Sequence, residues 1–226
     1  TGFLIKVKDN QEKVGFELKN IKRVVDKQVV FTEDLLELAY WMKDMYLSTT
    51  GENLSLMIPS GRKESDGNAS FSSPSSFVGV KELTREQDRA LSILREKDEG
   101  TFYLYGVTGS GKSEVFLRRA EDMIKKGKQV LYLVPEITLS HQLSEDVLSR
   151  FDGRVAIIHS ALSPSERLKA SRQIMKGEVD LVIGARSAVF APFKNLGLII
   201  LDEEHETSYK SGNTPRYHAR QIAQYR

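Results

Sequence analysis

The sequence contains no cysteine. That excludes disulfide staples and thiolate metal sites, and it fits a cytoplasmic protein. No apolar run approaches the roughly 18 residues that a bilayer-spanning helix needs. The N-terminus also lacks a basic segment leading into an apolar one, so neither a membrane partner nor a secretory signal is expected. Charge bias is nearly missing. With 33 basic and 31 acidic residues the formal charge is +2, so any nucleic-acid surface has to be local and not a property of the whole chain. Tryptophan occurs once, at Trp41, where Met and Tyr surround it at helical spacing, and it reads as core. What is present, 40% hydrophobic and 28% charged residues over 226 positions, can build one large domain or two small ones. The chain opens on Thr1 and not on Met, and is expected to be part of a longer protein.

Alternating runs such as Phe3-Leu4-Ile5-Lys6-Val7 within residues 3–31 predict short strands of a small β-rich module. One helix should follow over 32–47: Thr32 is a candidate N-cap, Glu33 and Asp34 complement the helix dipole, and Leu35, Leu38, Met42 and Met45 recur on one face. Residues 60–79 are dominated by Ser and Gly and cannot build a core, which divides the chain into 1–59, a linker at 60–82, and 83–226. Beyond the linker, Thr84 and Gln87 form a capping box at the head of a helix over 84–99. Strands at 102–105, 130–134, 155–158, 181–183 and 198–201 then alternate with helices at 113–126, 138–151 and one that opens at Ser163-Pro164 and ends before Gly177. Strands so apolar, separated by helices, predict an α/β fold with a parallel sheet covered on both faces.

Gly106-Val107-Thr108-Gly109-Ser110-Gly111-Lys112-Ser113 fits the phosphate-binding loop pattern, between a predicted strand and a predicted helix. Glycines let the backbone curl so that successive N–H groups face phosphate oxygens, and the helix adds the positive end of its dipole. Lys112 would reach the β- and γ-phosphates of ATP and Ser113 would ligate Mg²⁺. The apolar run Leu198-Ile199-Ile200-Leu201 ends in Asp202-Glu203-Glu204-His205, an acid at the C-terminal edge of a strand. Asp202 would hold Mg²⁺ through water, and Glu203 would orient or deprotonate the attacking water. His205 has two readings, a coupling residue or an ordinary polar side chain.

Asp-Glu-Glu-His at 202–205 resembles motif II of superfamily 2 helicases. GVTGSGKSEVF (106–116), LVPEITL (133–139), IGARSAVFAPF (183–193), LGLIILDEEH (196–205) and SYK…PRYHAR (208–220) together resemble the PriA family of primosomal replication-restart helicases. LLELAYWMKDMYLSTTGENLSLMIP (35–59) is similar to the later part of that family's DNA-end-binding module. The resemblance implies a RecA-like motor domain with ATP and Mg²⁺ as cofactors. The implied partners are single-stranded and forked DNA and other replication-restart proteins. It implies that Gln87 reads adenine, alongside its capping role, and that Pro135, Glu136 and Gly184 to Ser187 face the DNA track, Arg186 as a phosphate contact. Tyr209, Lys210, Arg216, Tyr217 and His218 interleave aromatics with cations, which suits base stacking and phosphate contact. In the family this segment links single-stranded DNA to hydrolysis. The family also carries a winged-helix domain, a second motor domain with an arginine finger, and a cysteine-rich zinc region. None is recognised here, so weak hydrolysis without unwinding is expected, with zinc confined to the full-length protein. Two rival readings are a small-molecule kinase, against which the acidic tetrad and the aromatic–basic segment argue, and a DNA-binding or assembly module that uses nucleotide only as a structural ligand.

Overall fold

The structure, a computed structural model, describes residues 2–7, 19–24, 29–58, 82–97, 99–107, 109–135, 147–148, 150–151 and 154–226. The expected linker and most of the expected helix at 138–151 lie outside these residues. The expected N-terminal strands do so in part. Where residues ahead of 60 are described they form no strand. They form two helices where one was expected, α1 (Glu33–Tyr46) and α2 (Thr50–Met57). Segments 2–7 and 19–24 lie largely exposed without a ladder between them, and an alternating pattern becomes a strand only when a partner accepts its hydrogen bonds.

Thr32 occupies the N-cap of α1, but its hydroxyl makes no capping bond; the acidic first turn of Glu33 and Asp34 stands as expected. Thr49 caps α2 with a reciprocal Glu52 box. Asn53 locks the two helices together: fully buried, it donates from Nδ2 to the Ala39 carbonyl at 2.9 Å and accepts from Ser48 Oγ at 2.9 Å.

Past residue 82 the alternation appears as α3 (Arg85–Glu96), α4 (Lys112–Lys125), β1 (Gln129–Leu133), β2 (Val155–Ile158), α5 (Pro164–Lys176), β3 (Leu181–Gly184), β4 (Leu196–Leu201) and α6 (Ala219–Tyr225), with 3-10 turns at Arg186–Phe190 and Thr207–Tyr209. Capping boxes at Thr84–Gln87 and Ser163–Glu166, Pro164 at the start of α5 and left-handed Gly177 at its end match the local signals. The four strands are parallel, in the order β2-β3-β1-β4. Alternate residues of β1 feed two cores: Val130 and Tyr132 join Leu117, Ala120 and Met123 of α4, while Leu131 and Leu133 join the opposite cluster. That second cluster also holds Leu35, Leu38 and Met42 of α1 with Tyr217 and Ile222. The N-terminal helix α1 is therefore packed against the parallel-sheet domain. Trp41 stacks on Tyr225 with centroids 4.5 Å apart, Tyr46 donates to Gln221 Oε1 at 2.9 Å, and Arg226 pairs with Asp34 at 3.0 Å.

Residues 102–105, expected as a strand, pair with nothing in the sheet, and Tyr103 and Tyr105 stand exposed. Their pattern suits a strand, but the described sheet runs β2-β3-β1-β4 without taking them up. Gln129 anchors the sheet's lower end. Its buried amide donates to the Ile174 and Val179 carbonyls at 3.2 and 2.7 Å and accepts from the Lys194 and Asn195 N–H groups at 2.8 and 2.9 Å.

Candidate nucleotide site and DNA-facing segment

The topology brings the phosphate-loop pattern and the acidic tetrad to one edge. β4 runs beside β1 with Leu133 opposite Leu201, so Asp202 emerges where α4 begins, and Ser113 Oγ donates to Asp202 Oδ2 at 3.4 Å across 89 residues of sequence. Gly109 and Gly111 take left-handed φ values of 82° and 80°, and Ser110 N–H bonds to the Val107 carbonyl at 3.2 Å, curling the backbone into the first turn of α4. Thr108 lies outside the described residues. The Lys112 ammonium turns back over the loop and donates to the Gly106 and Val107 carbonyls at 2.9 and 3.1 Å.

Gln87 serves its capping box, accepting from the Thr84 N–H at 2.9 Å, and also donates from Nε2 to the Ser110 and Gly111 carbonyls at 3.2 and 3.4 Å. It ties α3 to the phosphate loop. The left-handed φ favours glycine at 111, and a Cβ there would meet this amide at 2.1 Å and displace it from the loop.

Asp202 is buried to 7% exposure. Its backbone N–H donates to the Leu133 carbonyl, its Oδ2 accepts from the Tyr132 hydroxyl at 2.7 Å, its Oδ1 accepts from the Glu203 N–H at 3.0 Å, and its carbonyl accepts from the Tyr209 hydroxyl at 2.7 Å. Burial first, and then the Asp202 charge, hold both phenols far above the usual tyrosine range, so both stay neutral donors. Glu203 sits at φ 47°, a strained value for a side-chain-bearing residue, and its carboxylate lies 3.7 Å from His205 Nδ1. Glu204 is paired with Arg220. Among the described residues no cluster of three or more His, Asp or Glu side chains could hold a metal alone. The donors that fit Mg²⁺ are the Ser113 hydroxyl and the Asp202 carboxylate, hard oxygens that would leave the other positions to phosphate and water.

The segment after β4 corrects part of the expectation. Tyr209 and Tyr217 are 0 and 2% exposed and lie in the core, so they offer no ring face to a base. Tyr217 packs edge-on against Phe190 at 4.9 Å, and the Arg186 guanidinium lies 5.8 Å from its centroid. Arg186 faces the segment from within, donating from Nη1 to the Ser208 and Lys210 carbonyls at 3.2 and 2.6 Å. Lys210 and Arg216 remain exposed, and Lys210 Nζ donates to the Arg216 carbonyl at 2.5 Å. An antiparallel bridge joins Lys210 to His218, whose Nδ1 accepts from the Arg220 N–H at 3.2 Å. Interleaved aromatics and cations carry no burial information, and here hydroxyl partners and a packed sheet face draw the rings inward. Glu136 lies outside the described residues. In the sequence, residues 130–134 read as a plain core strand, which hides Tyr132. The signal is a phenol between apolar residues of a buried strand, which needs a buried acceptor.

Residues 84–225 match the DEAD/DEAH box helicase family. The chain belongs to that family. Residues 1–59 match a 3′ DNA-binding domain described for PriA. The chain is similar to the replication restart protein PriA of Treponema pallidum (strain Nichols), at 48% identity over 92% of this chain and 32% of that protein. It is 50% identical to that of Bacillus subtilis (strain 168) over 62% of this chain and 18% of the relative. For Rickettsia felis the figures are 37%, 92% and 32%. This DEAD/DEAH box chain thus spans about a third of the length of the Treponema and Rickettsia relatives. No helix among its described residues is long and apolar enough to cross a membrane.

Proposed function

We propose that this chain is the DNA-end-binding and first motor portion of an ATP-dependent DNA helicase of replication restart. Its division falls at 1–59, 60–82 and 83–226, and it acts in the cytoplasm on single-stranded and forked DNA beside other replication-restart proteins. The observation that carries the reading is the meeting of Ser113, at the head of α4, with Asp202, at the end of β4, beside a loop of left-handed glycines.

Gly106 to Ser113 would wrap the triphosphate. Lys112 would exchange its two loop carbonyls for β- and γ-phosphate oxygens, a stronger, charge-assisted contact. Ser113 and Asp202 would hold Mg²⁺, which when bound neutralises charge developing on the transferred phosphoryl group. Glu203 would orient the attacking water and accept its proton, and Gln87 would turn its amide to the adenine edge. Lys210 and Arg216, two exposed cations after β4, suit DNA phosphates, while Arg186 sets the backbone that carries them.

The test is nucleotide binding by calorimetry with and without Mg²⁺, repeated with single-stranded and forked DNA, and Lys112→Ala in the full-length protein. Loss of DNA-stimulated phosphate release in Lys112→Ala supports a motor. Full retention of restart activity would mean that nucleotide is only a structural ligand.

A further inference from the structure

We propose that Tyr132 is a positioning residue for the Mg²⁺-binding carboxylate, fixing the plane of Asp202 from the neighbouring strand without neutralising it. The inference rests on the nucleotide-site reading above and adds to it a residue outside the phosphate loop and the acidic tetrad.

Tyr132 is fully buried on β1, in register with Ile200, and its hydroxyl reaches past that neighbour to Asp202 Oδ2 at 2.7 Å. Its ring meets Phe116 edge-on at 6.2 Å. Phe116 lies one turn along α4 from Ser113, so both share a face of that helix. The phenol thus spans the two elements that would ligate the metal, with its ring set against the helix carrying Ser113 and its hydroxyl on the strand end carrying Asp202. The Glu203 N–H holds Oδ1 at 3.0 Å. Oδ2 thus takes the short Tyr132 bond and the longer Ser113 bond at 3.4 Å, and Oδ1 takes the Glu203 N–H, so the carboxylate cannot turn about its terminal bond without breaking a short bond. Ser113, once it ligates the cation, gives up its bond to Oδ2, which leaves each oxygen a lone pair for metal or its water.

The kind of donor matters as much as its place. Among the described residues no Lys, Arg or His forms an ion pair with Asp202. A guanidinium or ammonium there would fix the carboxylate equally well and cancel the charge meant for the cation. A neutral phenol fixes it and leaves the charge intact. This is the usual arrangement around metal ligands, in which an outer group orients the inner one.

Tyr132→Phe keeps the ring and removes the donor. Calorimetric titration of ADP at a series of MgCl₂ concentrations should show the Mg²⁺ midpoint raised about tenfold or more, the usual size of such an outer-group loss. ADP affinity in EDTA should be unchanged, because Lys112 and the loop amides do not touch Tyr132. Asp202→Asn should raise the midpoint by itself, and adding Tyr132→Phe to it should raise it little further. An unshifted midpoint in Tyr132→Phe, equal weakening with and without Mg²⁺, or full additivity with Asp202→Asn would each overturn the inference and leave the nucleotide site standing. Should Tyr132→Phe not fold, the near-isosteric replacement of Tyr132 by 3-fluorotyrosine retains a donor and must leave the midpoint in place; a shift there overturns the inference. A wild-type chain that binds no Mg²⁺–nucleotide overturns the site reading itself.

Discussion

Replacing Gly111 by alanine tests the phosphate loop through two separable costs. Gly111 holds φ 80°, and a left-handed conformation costs an alanine ~1–2 kcal/mol. The new Cβ would also lie 2.1 Å from Gln87 Nε2, the mobile end of a side chain. That amide would swing away and give up its bonds to the Ser110 and Gly111 carbonyls, long and partly solvated bonds worth ~0.5–1 kcal/mol together. The sum against the curled loop is about 1.5–3 kcal/mol. A loop that escapes the strain by uncurling lowers the binding-competent fraction, so ADP affinity should fall by about 10- to 150-fold. Gly109 has the same φ class, at 82°, but open space where its Cβ would sit. Gly109→Ala therefore carries only the conformational cost, about 5- to 30-fold. Calorimetry of ADP binding on both variants, with Gln87→Ala in each background, separates the terms: Gln87→Ala should cost less in Gly111→Ala than in wild type. Equal losses from the two glycines, or strict additivity with Gln87→Ala, would refute the reasoning.

Gln129→Leu takes the side-chain partner from the buried Val179 carbonyl and from the Lys194 and Asn195 N–H groups, while the Ile174 carbonyl keeps the Gly177 N–H, and should lower unfolding free energy by about 2–5 kcal/mol, read as a reduced urea midpoint at unchanged slope. His218 is held below the ordinary histidine range by burial first and then by Arg220 and Lys210, so the fold favours its neutral form. Its contribution is present above the unfolded value and is lost as pH falls through the folded one, so His218→Asn, which keeps a capping acceptor, should flatten the decline of the urea midpoint between about pH 7 and pH 5. Trp41, the sole tryptophan, stacks on Tyr225, so Tyr225→Ala should red-shift its emission without unfolding the sheet; an unshifted spectrum with intact circular dichroism would mean that α1 is not docked there.

The parts of this molecule legible in its sequence are those whose signal is local. Apolar runs marked β1 to β4, most plainly the central β1 and β3, which are buried on both faces and need no alternation, and the glycine spacing marked the loop because left-handed turns admit few other residues. Caps at Thr84 and Ser163 were readable for the same reason: donor and acceptor lie three residues apart. Relations between distant segments were not readable. Residues 102–105 have a strand's composition, yet strand formation depends on a neighbour that composition does not name. Tyr209 and Tyr217 look like a stacking surface until the Asp202 carbonyl and the Phe190 ring are seen beside them. The Ser-rich stretch marks a shift in composition but does not name the contacts of α1, whose Leu35, Leu38 and Met42 share a core with Tyr217 and Ile222. Tyr132 is the sharpest case. One hydroxyl in an otherwise apolar strand implies a buried acceptor, and the sheet order β3-β1-β4 is what makes that acceptor Asp202.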